Sequence, residues 1–115
     1  MAVVDGHTAT ISVALERKPG LAEVLEALDG FSSVPQERRL PSAPARPVIL
    51  MQEQNRPQPR KDAEREGGMA AFVGRVRACP VLDYKLVSLT HNAIRGAAGA
   101  AVLNAELMHS EGLLD

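Results

Sequence analysis

Between His91 and Leu107 the apolar residues Ile94, Ala98, Ala101, Ala105 and, just beyond, Met108 recur at helical spacing. This predicts a helix with a continuous apolar stripe. Ala97, Ala100, Val102, Leu103 and Leu107 carry apolar surface around most of the remaining circumference, the pattern of a buried helix. From His7 to Arg17 the period changes to two, with Ala9, Ile11, Val13 and Leu15 opposed to Thr8, Thr10, Ser12, Ala14 and Glu16, which predicts a half-buried strand. Ala2 to Val4 reads as the end of a preceding strand, and Asp5-Gly6 as a turn or bulge that aims His7. Leu21, Val24, Leu25 and Leu28 against Glu23, Glu26 and Asp29 predict an amphipathic surface helix, closed by Gly30 and packed on the sheet. Met69 to Arg77 and Lys85 to Thr90 alternate again, and the second of these strands delivers His91-Asn92 into the terminal helix.

Six of the eight prolines, Pro35, Pro41, Pro44, Pro47, Pro57 and Pro59, interrupt the middle of the chain around the apolar run Val48 to Met51. Proline removes backbone donors, so this run pairs as an edge strand at most. A connection of this length inside a compact domain is a functional loop, a linker or a wrapping arm, and the segment 35–60 reads as an arm laid over a neighbouring surface, such as a second subunit. Lys61 to Gly68 reads as a charged loop. The expected architecture is α+β: a mostly antiparallel sheet from strands near 1–17, 48–51, 69–78 and 85–90, packed by the first helix. Residues 1–90 form its body and 91–115 the terminal helix.

Composition narrows the functional classes. The 115 residues carry a formal net charge of −1, with 45% hydrophobic and 23% charged residues, an ordinary composition for a folded domain. The basic cluster Arg56 to Arg65 is interleaved with acids, and aromatic content is 3%. Neither the electrostatic footprint nor the stacking platforms of nucleic-acid binding are therefore expected. No apolar run approaches the roughly 20 residues of a membrane span, and no basic segment followed by an apolar core marks a secretory signal. A cytoplasmic location without membrane attachment is the expectation. Scattered histidines and a single cysteine predict no metal site.

Candidate chemistry gathers at a few residues. His7, at a strand end, is either satisfied by backbone or used as an acid/base group. Asn92 at a strand–helix junction is either a helix N-cap or a ligand-facing group, and the two roles are compatible. Gly96 and Gly99 each weaken a helix by about 1 kcal/mol relative to Ala, which fits either close packing against a strand or the approach of a flat ligand. Arg75 and Arg77 alternate onto one strand face, where they are solvated or paired, with a phosphate contact as the sharper option. Cys79 has no local base or cation in sequence to activate it and reads as inert.

Gly74-Arg75-Val76-Arg77, Pro80-Val81-Leu82-Asp83, His91 to Gly99 and Leu103-Asn104-Ala105-Glu106-Leu107, in this order, resemble the C-terminal end of aspartate-semialdehyde dehydrogenases of the archaeal and fungal type. Val4-Asp5-Gly6-His7-Thr8 resembles the family's catalytic histidine segment, and Leu40 to Pro44 with Arg56 to Arg60 resemble its proline-rich pair. The resemblance implies the last third of an NADP-dependent oxidoreductase of amino-acid biosynthesis that interconverts aspartate semialdehyde plus phosphate with aspartyl phosphate. It implies that His7 is the catalytic acid/base and that Asn92 lies against the nicotinamide of NADP. It further implies a catalytic and dimerisation domain, a homo-oligomeric full-length form with a small-molecule substrate, and a terminal helix that docks on a nucleotide-binding domain outside this chain. The nucleophilic cysteine, the substrate arginine seven residues before His7 and the dinucleotide fold are expected outside these residues, so the chain alone is expected to be inactive. Two alternatives stay open: a noncatalytic dimerisation or scaffold module, and a portion of a sibling reductase such as malonyl-CoA reductase.

Overall fold

The structure, a computed structural model, describes residues 3–115. A four-stranded sheet has the order β1-β4-β3-β2, where β1 is His7–Val13, β2 Val48–Met51, β3 Ala71–Ala78 and β4 Tyr84–Thr90. β1 and β3 both run antiparallel to β4, while β2 is parallel to β3. The sheet is mixed but mostly antiparallel, and the short proline-flanked β2 takes an edge, where missing donors cost least. The strand expected near the N-terminus starts only at His7: Val3 and Val4 are not strand, and Ala2 lies outside the described residues.

The two sheet faces are covered unequally. Helix α1, Leu21–Asp29, packs on β2 and β3 and ends at Gly30, whose N–H donates to Glu26 O at 2.9 Å. Its approach is fixed by the buried Tyr84, whose hydroxyl donates to Pro19 O. The helix's main contacts are with β2 and β3. The expected half-buried strand is exposed from His7 to Ser12 within this chain, including Ile11, and only Val13 is partly buried.

The opposite face carries the main core of Met51, Ala70, Phe72 and Leu89, with Ile49 beside it. It is covered by a segment expected to be loop, which instead forms the short helix α3, Pro59–Asp62, and a tight turn over Arg65–Gly68. Asp62 is fully buried there. Its carboxylate accepts from Arg56 Nε at 2.8 Å and again from Arg56 Nη2, from Gln58 N–H at 2.7 Å and from Arg65 Nη1 at 3.2 Å. Arg65 in turn lies 5.3 Å over the Phe72 ring, a cation–π contact. Gly74 lets this segment approach the sheet, since a Cβ at that position would stand 2.4 Å from Arg56 O.

The proline-rich arm closes on its own chain. It forms a short helix α2, Val34–Glu37, then buries Leu40 with Met69 and with Leu103 of the terminal helix α4, Gly99–Ser110. Ser42 N–H and Oγ both donate to the Glu106 carboxylate, at 2.9 and 2.6 Å, and Arg38 reaches Ser110 Oγ at 2.8 Å. The neighbouring surface expected for the arm is thus, in this chain, α4 itself. Helix α4 turns a different face inward from the one its spacing predicts. Gly99, Ala100, Leu103, Glu106 and Leu107 face the chain, while Ala98, Ala101, Ala105 and Met108 are exposed. The reason lies upstream, where Ile94–Ala98 forms a π-helical turn whose extra residue rotates the phase of everything after it.

Burial alone raises the Asp62 carboxyl pKa, but the bonds from Arg56, Gln58 N–H and Arg65 outweigh it and hold the group below the usual carboxylate range. Its ionised form therefore stabilises the fold above the unfolded value near 3.9, and that contribution is lost as pH falls through the lower folded value. Asp62→Asn is expected to cost about 3 kcal/mol at neutral pH, with variant and parent converging below about pH 4. Urea unfolding at pH 7 and pH 3 measures both, and an unchanged gap would contradict the ionised, paired state.

Candidate functional site

The start of β1 and the end of β4 meet at one end of the sheet, where His7 pairs with Thr90. Two residues beyond Thr90, Asn92 turns back across that end, and its Oδ1 accepts the Gly6 N–H at 2.7 Å. Gly6 is buried with φ +100°, a conformation that L side chains rarely adopt. A Cβ there would also stand 3.1 Å from Leu89 Cδ1 and 3.3 Å from both Ala63 and Pro59. The Asp5-Gly6 turn is thus held from three sides, and it releases His7 exposed into an open cleft of about 510 Å³ shared with Val4, Asp5, Thr8 and Asn92. The two site residues singled out in sequence, 85 positions apart, share that cleft. Because a backbone N–H can only donate, the amide of Asn92 is oriented with Oδ1 on Gly6. Its Nδ2 makes no hydrogen bond among the described residues and remains a donor to a ligand.

Asn92 is not the helix cap. That role belongs to His91, which is buried and accepts from Ala93 N–H and Ile94 N–H, both at 3.2 Å, through Nδ1. The acceptor at Nδ1 places the imidazole proton on Nε2. Sequence reading passed over His91 because a histidine beside an asparagine at a helix start yields the cap to the commoner N-cap residue.

The two glycines that follow separate into different roles. A Cβ on Gly99 would stand 2.4 Å from Met69 Sδ and 2.9 Å from Ile94 Cγ2, so Gly99 answers to packing. On Gly96 the nearest atom would be His91 O at 3.6 Å, an ordinary contact, so nothing among the described residues packs tightly against that position.

Cys79 and the arginines lie at the other end. Ala78 pairs with Tyr84, whereas His7 pairs with Thr90, so about 20 Å of strand separates Cys79 from His7. The expectation of an unperturbed thiol is corrected: the N–H groups of Leu82, whose nitrogen lies 3.4 Å from the sulfur, and of Val81 lower its pKa. Distance still keeps it from serving as a nucleophile beside His7. The alternation that put Arg75 and Arg77 on one face is broken by a bulge between Gly74 and Arg77, with Arg75 at φ +55°. Among the described residues no cluster of three or more His, Cys, Asp or Glu is placed to hold a metal. Nor is any helix long and apolar enough to cross a membrane.

Comparison with known proteins places the chain in a family. The family model described as semialdehyde dehydrogenase, dimerisation domain, matches residues 1–95. The chain is 47% identical over 109 residues to an aspartate-semialdehyde dehydrogenase of Methanothermobacter thermautotrophicus, covering 93% of this chain and 31% of that protein. It is 36% identical over its whole length to a malonyl-CoA reductase (NADP) of Metallosphaera sedula, of which it covers 33%. The crystal structure of the Candida albicans aspartate-semialdehyde dehydrogenase with NADP superposes with a TM-score of 0.89 at 36% identity, covering 97% of this chain and 32% of that one. The chain therefore spans about a third of the length of the relatives it matches.

If Asn92 holds the turn before His7, Asn92→Ala exposes the Gly6 N–H to solvent exchange. Hydrogen–deuterium exchange at Gly6 is expected to accelerate roughly tenfold, as about 1.4 kcal/mol of local protection is lost, while the amide of Phe72 in the core keeps its rate. Equal acceleration at both would mean that Asn92 serves global stability instead.

Proposed function

The chain belongs to the semialdehyde dehydrogenase family, whose dimerisation domain it carries, and from that premise we propose that it is the histidine-bearing third of an NADP-dependent aspartate-semialdehyde dehydrogenase. The observation that carries this reading is the convergence of His7 and Asn92 on one cleft, with the amide of Asn92 turned so that only its donor side is free. In the oxidising direction a cysteine thiolate from outside these 115 residues attacks the aldehyde carbon. NADP, when bound, accepts the two electrons released from that carbon. Phosphate then displaces the thiolate from the resulting thioester to give aspartyl phosphate, and biosynthesis runs the sequence in reverse.

Within that scheme the exposed imidazole of His7 takes the hydroxyl proton of the thiol–aldehyde adduct as the carbonyl re-forms, and returns it in the reverse direction. General acid–base assistance of this kind is worth about 100- to 10,000-fold. The Nδ2 donor of Asn92 suits a carbonyl acceptor such as the carboxamide of nicotinamide. Among the described residues no cysteine fits the nucleophile's place, because Cys79 sits at the far end of the sheet. The domain type supports self-association of the whole protein, and the exposed faces of β1 give it an unshared surface to use. A cytoplasmic location belongs to the same reading.

The test is a chimaera in which residues 1–115 replace the equivalent segment of the Methanothermobacter enzyme. It is expected to reduce NADP with aspartate semialdehyde and phosphate, whereas the 115-residue chain alone shows no turnover. In the chimaera His7→Ala lowers kcat by about 100-fold or more. Asn92→Asp, which keeps the acceptor on Gly6 but removes the donor, raises KM for NADP more than it lowers kcat. Malonyl-CoA reduction by the chimaera in place of aspartate-semialdehyde oxidation would favour the sibling activity suggested by the Metallosphaera relative. A folded chimaera indifferent to His7→Ala would sink the assignment.

A further inference from the structure

At the end of the sheet away from His7, a cleft of about 700 Å³ opens between α1, the end of β2 and the bulge of β3. Leu25 and Leu50 form an apolar wall, Gln52 and Gln54 line its rim, and Arg75 and Arg77 enter from the bulge. The bulge holds Arg75 at φ +55°, a strained conformation for a residue with a side chain. Strain of this kind persists where surrounding structure over-determines it, and it clusters at ligand sites. Neither guanidinium group is committed to a carboxylate. Arg77 Nη1 donates to Arg75 O at 2.5 Å, and among the described residues neither group has a carboxylate within ion-pair reach. Lys85 stands directly across from Arg77 in the ladder, outside the residues that line the cleft. Glu53 also lines the cleft and bears electrostatically on Arg56.

We propose that this cleft binds a small phosphate monoester, with Arg75 and Arg77 gripping the phosphate and the Leu25–Leu50 wall meeting the organic part. Two planar guanidinium forks match a tetrahedral dianion with several acceptor oxygens better than a single carboxylate. The volume lies within the range of small-molecule sites. Five residues of β4, about 17 Å, separate Lys85 from Thr90 beside His7, so this site is distinct from the proposed reaction cleft and does not depend on it.

The experiment is an NMR titration of the 115-residue chain at low ionic strength with inorganic phosphate and then glycerol phosphate, following the Arg Nε–Hε and backbone amide signals. Saturable shifts are expected at residues 52–54 and 75–77, tighter for the ester than for the inorganic ion, with affinity falling about tenfold or more in each of Arg75→Gln and Arg77→Gln. Arg77→Lys, which keeps the charge but loses the fork, falls between parent and Arg77→Gln. Linear shifts, shifts unchanged in a double glutamine variant with a dispersed amide spectrum, or a dependence on chain concentration that marks an interface between copies would each overturn the site. A response confined to Gly6, His7 and Asn92 would also overturn it, while leaving the reading of the reaction cleft in place.

Discussion

One hydrogen bond, from the Gly6 N–H to Asn92 Oδ1, closes the candidate site, and its partners are 86 residues apart in the chain. It brings together an N-terminal turn and a strand–helix junction that have no local reason to meet. The geometry on the Gly6 side is set by Ala63 and Pro59, and those residues are held by the buried Asp62 and its bonds to Arg56, Gln58 and Arg65. A buried carboxylate behind the cleft thus supports the turn from which His7 emerges. Removing one partner of such a buried network leaves the others unsatisfied, so the turn, the covering segment and the cleft stand or fall together.

The elements that depend on period alone were legible in the sequence. β2, β4 and α1 fall close to where alternation and amphipathicity put them, and the edge position of β2 follows from its flanking prolines. What the sequence hid were changes of phase. The bulge at Arg75 and the π turn at Ile94–Ala98 each insert a residue that a fixed period cannot register, so the face of α4 that packs on this chain is not its apolar stripe. The segment around Asp62 looked like a charged loop because its charges satisfy one another inside, and pairing of that kind leaves no hydrophobic signature. At the site, the resemblance pointed to His7 and Asn92, and the structure brings them to one cleft. The capping role of His91 was invisible, since either residue of the His-Asn pair is chemically able to cap.

The shape of the chain explains its incomplete core. Its radius of gyration is 15.5 Å and its extents are 51 × 35 × 19 Å, against about 13 Å expected for a compact globule of this length. It is a slab one sheet thick, with helices on parts of both faces. Ile11 on β1 and Val102 and Met108 on α4 remain exposed, and α1 contains no buried residue. Burial of apolar surface is the main favourable term in folding, so a slab with uncovered faces gains stability when those faces meet other protein. The chain matches a family described as a dimerisation domain and spans about a third of its relatives' length, and its slab form leaves faces that further protein would cover.

The same slab separates two kinds of chemistry. At the end where β1 begins, the charged groups are few and a single imidazole stands in the open beside an oriented amide, an arrangement suited to moving one proton. At the opposite end the β3 strand bulges between Gly74 and Arg77, and Arg75 and Arg77 line one cleft there, with Lys85 across the ladder from Arg77. Arg75 and Arg77 both line that cleft, and like charges side by side repel one another. An anion placed between them relieves it directly. The backbone conformation of Arg75, which a glycine would adopt more cheaply, makes sense where the side chain is what the position is for.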